Sequence, residues 1–85
     1  MNISRLREVR EDRSISQSTI AKLLHTTQQQ YSKYELGIRI IPIEKLVILA
    51  RFYNTSIDYL ISLTDVRAPY PLSIMDSDSK IHSKQ

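Results

Sequence analysis

The stretch from Ser16 to Gly37 leaves this chain few choices of architecture. Ser16 and Thr27 each carry a side-chain oxygen able to accept from the free N–H groups that open a helix, and no Pro or Gly follows until Gly37, which suits a helix C-terminal turn. The pattern predicts two short helices, about Gln17 to Leu24 and Gln28 to Leu36, joined by His25-Thr26-Thr27. A connection this short makes the pair cross steeply, and Ala21 is small enough to let the backbones approach. Ile20, Ala21, Leu23 and Leu24 form the inner stripe of the first helix. Tyr31, Tyr34 and Glu35 turn inward on the second, which puts Gln28, Gln29, Ser32 and Lys33 on its opposite, polar face.

The flanks read as helices that hold this pair. Ile3, Leu6, Val9, Arg10 and Arg13 follow helical spacing behind Asn2 as a cap, predicting a helix from about Ile3 to Arg13; Arg5, Arg7, Glu8, Glu11 and Asp12 then lie on a solvated face. Gly37 to Ile41 is a loop, and Pro42 opens a helix to about Tyr53 that is apolar nearly all round, the mark of a core element. Ser56 caps a short fifth helix to about Leu63 with Ile57, Leu60 and Ile61 on its inner stripe. Beyond Thr64 the periodicity dissolves. The expected organisation is one all-α, five-helix domain over residues 1–67 and an extended, mobile tail over 68–85, with Tyr70 or Leu72 folding back onto the domain.

Composition narrows the functions. The chain has 85 residues and supports one modest core. It has no cysteine, which removes disulfides, thiolate metal sites and cysteine nucleophiles; His25 and His82 are far apart without neighbouring ligands, so no metal and no cofactor is expected. A Gly-rich phosphate loop and any clustering of His with carboxylates are missing, so no enzyme and no small-molecule substrate is expected either. Without a long apolar run the expected location is the cytoplasm, with no membrane partner. The net charge is +3; in the tail Lys80 and Lys84 balance Asp76 and Asp78, so the whole excess sits in residues 1–67, which suits a nucleic-acid partner.

Helix, three-residue turn and helix is the helix-turn-helix geometry, whose second helix enters the DNA major groove by its N-terminal residues. The chain resembles the Cro and phage-repressor family of helix-turn-helix regulators, also called the XRE family, from about Leu6 to Asp65. The resemblance is carried by Leu6-x-x-Val9-Arg10, Ile15-Ser16-Gln17-x-x-Ile20-Ala21-x-x-Leu24, Thr27-Gln28-Gln29-Gln30-Tyr31-Ser32-Lys33-Tyr34-Glu35-x-Gly37, Ile41-Pro42-x-Glu44-x-Leu46-x-x-Leu49-Ala50 and Ser56-Ile57-Asp58-Tyr59-Leu60. It departs at His25 and Ser14, where the family favours Gly, and at Leu36, where it favours Asn.

The resemblance implies a sequence-specific, double-stranded DNA-binding transcriptional regulator, a repressor acting by operator occupancy, in a bacterial or phage-encoded setting. It implies base reading by Gln28, Gln29, Lys33 and Gln17, with Gln30 pointing sideways, and an ion pair of Arg10 with Glu35 that serves the architecture. A glutamine amide pairs with adenine N7 and N6–H, and a lysine with guanine or a phosphate. Phosphate contacts are expected from Ser16, Thr27, Ser32 and Arg39. So small a domain is expected to bind a two-fold operator as a homodimer, with Tyr59, Ile61 and Leu63 as dimer candidates. The alternative is a protein-interaction module, antitoxin-like or an anti-regulator, that uses the fifth helix and the tail.

Overall fold

A computed structural model describes residues 2–71, and the expectations for Leu72 and the rest of the tail lie outside them. The described residues form α1 (Ser4–Asp12), α2 (Gln17–Leu23), α3 (Gln28–Leu36), α4 (Ile43–Phe52) and α5 (Ile57–Leu60). Each start has a local cause. The Asn2 side chain accepts from the Ser4 N–H at 3.0 Å; Ser16, Thr27 and Ser56 accept from Thr19, Gln30 and Tyr59 in the same way at the heads of α2, α3 and α5. Pro42 precedes α4, where its missing N–H is no loss. Gly37 closes α3 at φ 77°, a left-handed turn that only glycine adopts without strain. Ser14, His25, Asn54 and Ser62 take the same hand at φ between 56° and 65°, each as a non-glycine residue that bears some strain.

The helices pack as α2 on α3, α1 on both α3 and α5, and α4 on α5. Their shared centre is Leu6, Ile20, Leu24, Tyr31, Leu49 and Leu60, all fully buried. Among the described residues no helix is long and apolar enough to cross a membrane.

Three expectations are corrected. α5 stops at Leu60, not Leu63: Ser62 turns left-handed, and the Leu63 N–H bonds back to the Asp58 carbonyl at 2.8 Å, a backbone closure with no glycine to announce it. α4, apolar on nearly every side, buries only Leu46, Leu49 and Ala50 and leaves Ile43 and Phe52 exposed, because too few helices surround it to cover its whole circumference. Arg5 is not on a solvated face. Its side chain is 18% exposed; it donates to the carbonyls of Tyr59 at 3.2 Å and Thr64 at 2.7 Å, pairs with Asp65, and lies 4.1 Å from the Tyr59 ring centroid. A long aliphatic stem lets arginine lie along a packed face while its head finds partners, so charge alone misplaced it.

The segment after α5 runs back over the domain. Thr55 donates its hydroxyl to the Arg67 carbonyl at 2.6 Å, and the Tyr70 hydroxyl donates to Asp58 at 2.7 Å. Arg67 reaches Asp12 at 3.6 Å and lies 5.6 Å from the Tyr59 ring centroid.

Candidate nucleic-acid interface

The polar face of α3 depends on a buried charge pair behind it. Arg10 of α1 grips Glu35 of α3 with two hydrogen bonds, Nε to Oε2 at 2.7 Å and a guanidinium NH2 to Oε1 at 3.1 Å. The side chains are 10% and 3% exposed. The second NH2 of Arg10 donates to the Ile15 carbonyl at 2.8 Å, so one arginine ties α1 to both the turn before α2 and to α3. Gln17, the first residue of α2, donates its amide to Glu35 Oε1 at 3.0 Å. Burial pushes the Glu35 carboxyl up, but hydrogen bonding by Arg10, with Tyr31 and Gln17 alongside, outweighs it and holds the group below its ordinary value.

The tyrosines beside this carboxylate are affected in turn. Burial, then the negative charge of Glu35, raises the Tyr31 hydroxyl well above its usual range and pushes Tyr53 up to about 12, so both stay neutral. Among the described residues the Tyr53 hydroxyl has no hydrogen-bond partner, and that of Tyr31 interacts with the Glu35 carboxylate without the geometry of a full hydrogen bond. Tyr31 and Tyr34 meet edge to face at 6.4 Å and anchor α3 to the core.

With its inner face fixed, α3 leaves Gln28 and Gln29 exposed, with Ser32 and Lys33 half-exposed beside them. Gln17 joins them at the edge of a shallow concavity of about 590 Å³. The structure thus brings all four expected base readers to one surface, and it adds Leu36 and Ile38, which the sequence reading left unassigned. Leu36 was legible in principle, since Gln28, Ser32 and Leu36 repeat every four residues and therefore share a face.

The other assigned residues take distinct positions. Ser16 and Thr27 are exposed at the heads of α2 and α3, where their side-chain oxygens serve as caps. Ser16 also lies 2.9 Å from the Thr19 hydroxyl and 3.1 Å from that of Ser18. Arg39 is exposed on the loop after α3, clear of Glu35, whose oxygens are taken by Arg10 and Gln17. Gln30 donates to the Tyr34 hydroxyl at 3.2 Å, along the helix flank. Tyr59 and Ile61 are half-buried, and the ring of Tyr59 lies near Arg5 and Arg67; Leu63 is open to solvent.

Lys45 completes the support. Its ammonium donates to the Leu24 carbonyl at 2.8 Å, satisfying the C-terminal end of α2 from α4.

The chain is similar to known proteins in sequence and in fold. The chain is 33% identical over 84 residues to an uncharacterized HTH-type transcriptional regulator, YobD, of Bacillus subtilis strain 168. That alignment takes in 99% of this chain and 66% of the relative, so the chain spans just under two thirds of the relative's length. The fold is similar to that of a transcriptional regulator from Listeria innocua, at a TM-score of 0.67 and 23% identity, covering 95% of this chain and 75% of the other. The helix-turn-helix family matches residues 6–60, and the chain belongs to that family, in its Cro/C1-type (XRE) branch.

Proposed function

We propose that this helix-turn-helix protein is a sequence-specific, double-stranded DNA-binding regulator, a repressor that acts by occupying its operator with α3 in the major groove. The observation that carries the reading is the division of α3 into two faces. One is locked to the core by Tyr31, Tyr34 and the Arg10–Glu35 pair; the other offers Gln28, Gln29, Ser32 and Lys33 to the outside. A polar outer face is common to surface helices; what supports the reading is its make-up, with Gln28 and Gln29 at the head of the second helix of the motif and Lys33 beside them.

In this reading Gln28 and Gln29 pair with base edges, Lys33 donates to guanine or phosphate, and Gln17 contributes its carbonyl oxygen and the one amide N–H that it does not give to Glu35. Ser16, Thr27, Ser32 and Arg39 meet phosphates and set the register of the domain on the duplex. Such a domain binds as a homodimer on a two-fold operator with half-sites about 34 Å apart. Leu63 is the dimer candidate most open to a partner, and Tyr59 and Ile61 lie beside it in the chain.

Selection of bound duplexes from a random pool tests this directly. A consensus with two-fold symmetry is expected. Gln28→Ala and Gln29→Ala should each relax preference at particular positions, while Arg39→Ala should weaken all duplexes alike and lower the salt slope by about 1. Unchanged sequence preference in both glutamine variants would overturn the assignment of α3 as the reading helix.

A further inference from the structure

Leu36 and Ile38 have no part in the reading above, yet both line the concavity in front of α3, and each is 65% exposed. Leu36 closes the row that begins with Gln28 and Ser32, a row that runs about 12 Å along the helix. Ile38 is brought beside it by the turn at Gly37, where the Ile38 N–H bonds back to the Lys33 carbonyl at 2.9 Å. The concavity is therefore amide at one end and aliphatic at the other.

The chemistry of its surroundings selects the occupant. No acidic residue lines the concavity, Lys33 is part of it, and Arg39 stands exposed on the loop beside Ile38, so the surface favours an anionic partner. Leucine and isoleucine have no donor for a phosphate. Of the groups that a DNA duplex presents in its major groove, one is apolar, the C5-methyl of thymine. We propose that Leu36 and Ile38 form an apolar seat for a thymine C5-methyl, next to the base pairs met by Gln28 and Gln29, and so help determine sequence preference. This rests on α3 entering the major groove. The seat supplies what the glutamines lack: an amide reads donors and acceptors, whereas the methyl offers neither and is recognised by its removal from water.

The test uses the full chain and the duplex recovered by selection. Each thymine is replaced singly by uracil, which deletes the methyl and keeps the O4 acceptor and the base pairing. Affinity is then followed by fluorescence anisotropy for the native protein and for the Leu36→Ala/Ile38→Ala variant. At one thymine per half-site, uracil should weaken native binding about fourfold, the worth of one buried methyl-sized group. In the variant that ratio should fall to near one. Both side chains are largely exposed, so the variant is expected to melt like the native protein; Leu36→Gln, which keeps the bulk but not the apolar surface, serves as a second probe with the same expected loss of the uracil effect.

The outcomes separate the two readings. A protein that selects no DNA sequence overturns the groove reading and the methyl seat together. A protein that selects a sequence, but shows no uracil effect or the same effect in native and variant forms, overturns the seat alone and leaves α3 as the reading helix.

Discussion

Replacing Arg10 with methionine should do more damage than the loss of any one apolar contact, because it strands a charge. Methionine fills much of the space of the arginine stem, so the perturbation is mainly electrostatic. Glu35, with its side chain 3% exposed, would keep the Gln17 amide as its remaining side-chain donor of good geometry. The Ile15 carbonyl would lose its guanidinium partner as well. Breaking a buried pair by removing one partner destabilises by about 3–5 kcal/mol. A domain of this size has a total stability of roughly 4–12 kcal/mol, so the variant should sit near the edge of folding. Urea denaturation followed by far-UV circular dichroism reads this out: with a slope near 1 kcal/mol per M, the midpoint should fall by about 3 M or more.

The pH dependence gives the same experiment a sign. In the native protein Glu35 is held below its ordinary value of 4.5, so its contribution to stability is present above that value and is lost as pH falls through the lower, folded one. In Arg10→Met only burial would remain strong, which raises the carboxyl; the folded form then binds a proton more readily than the unfolded chain, and acidification toward about pH 5 should stabilise the variant. Arg10→Met/Glu35→Leu, which removes both charges, should recover most of the loss. A single variant that loses under about 1 kcal/mol, or that gains nothing on acidification, would refute the claim that the pair is a buried, mutually dependent unit.

Other outcomes follow from single contacts. His25 holds φ 57° in the turn between α2 and α3, so His25→Gly should stabilise by about 0.5–1 kcal/mol once the added freedom of glycine in the unfolded chain is subtracted, raising the melting temperature by roughly 4 °C. No rise in a thermal melt would count against strain at that turn. Thr27→Ala removes the cap on Gln30 and should cost about 1 kcal/mol, with Thr27→Ser retaining most of it, as measured by urea titration. Lys45→Met leaves the Leu24 carbonyl without its ammonium donor and should lower stability by about 1 kcal/mol; an unchanged denaturation midpoint would show that solvent replaces the contact fully.

Local chemistry was the most legible part of this chain. Ser16, Thr27 and Ser56 were identifiable as caps, and Gly37 as a terminator, because each acts on backbone groups within a few residues of itself. α3 begins and ends where its residues predict, and its helical period separates Tyr31, Tyr34 and Glu35 from Gln28, Gln29, Ser32 and Lys33 without reference to anything else in the fold. The end of α5 was less legible, since Ser62 takes a left-handed conformation that serine seldom adopts and only the surrounding backbone bonds sustain.

Contacts between distant segments needed the tertiary structure. Nothing in the neighbourhood of Arg5 distinguishes it from Arg7, yet Arg5 is folded against Tyr59 and Thr64, whereas Arg7 pairs at the surface with Glu11. Gln17 has the same amide as Gln28, yet one of its hydrogens is spent on Glu35, eighteen positions along the chain, so the two glutamines are not equivalent reading groups. Leu36 and Ile38 are ordinary aliphatic residues by sequence; Leu36 reaches the α3 surface by its helical period, but Ile38 joins it there only because the turn at Gly37 brings it back alongside. The amino-acid sequence by itself determined where helices begin and which face each one buries, since those depend on short-range backbone bonding and periodicity. Which polar groups are free to meet a partner was decided by the packing of α1 and α2 on α3, because a donor's availability depends on what lies opposite it in space.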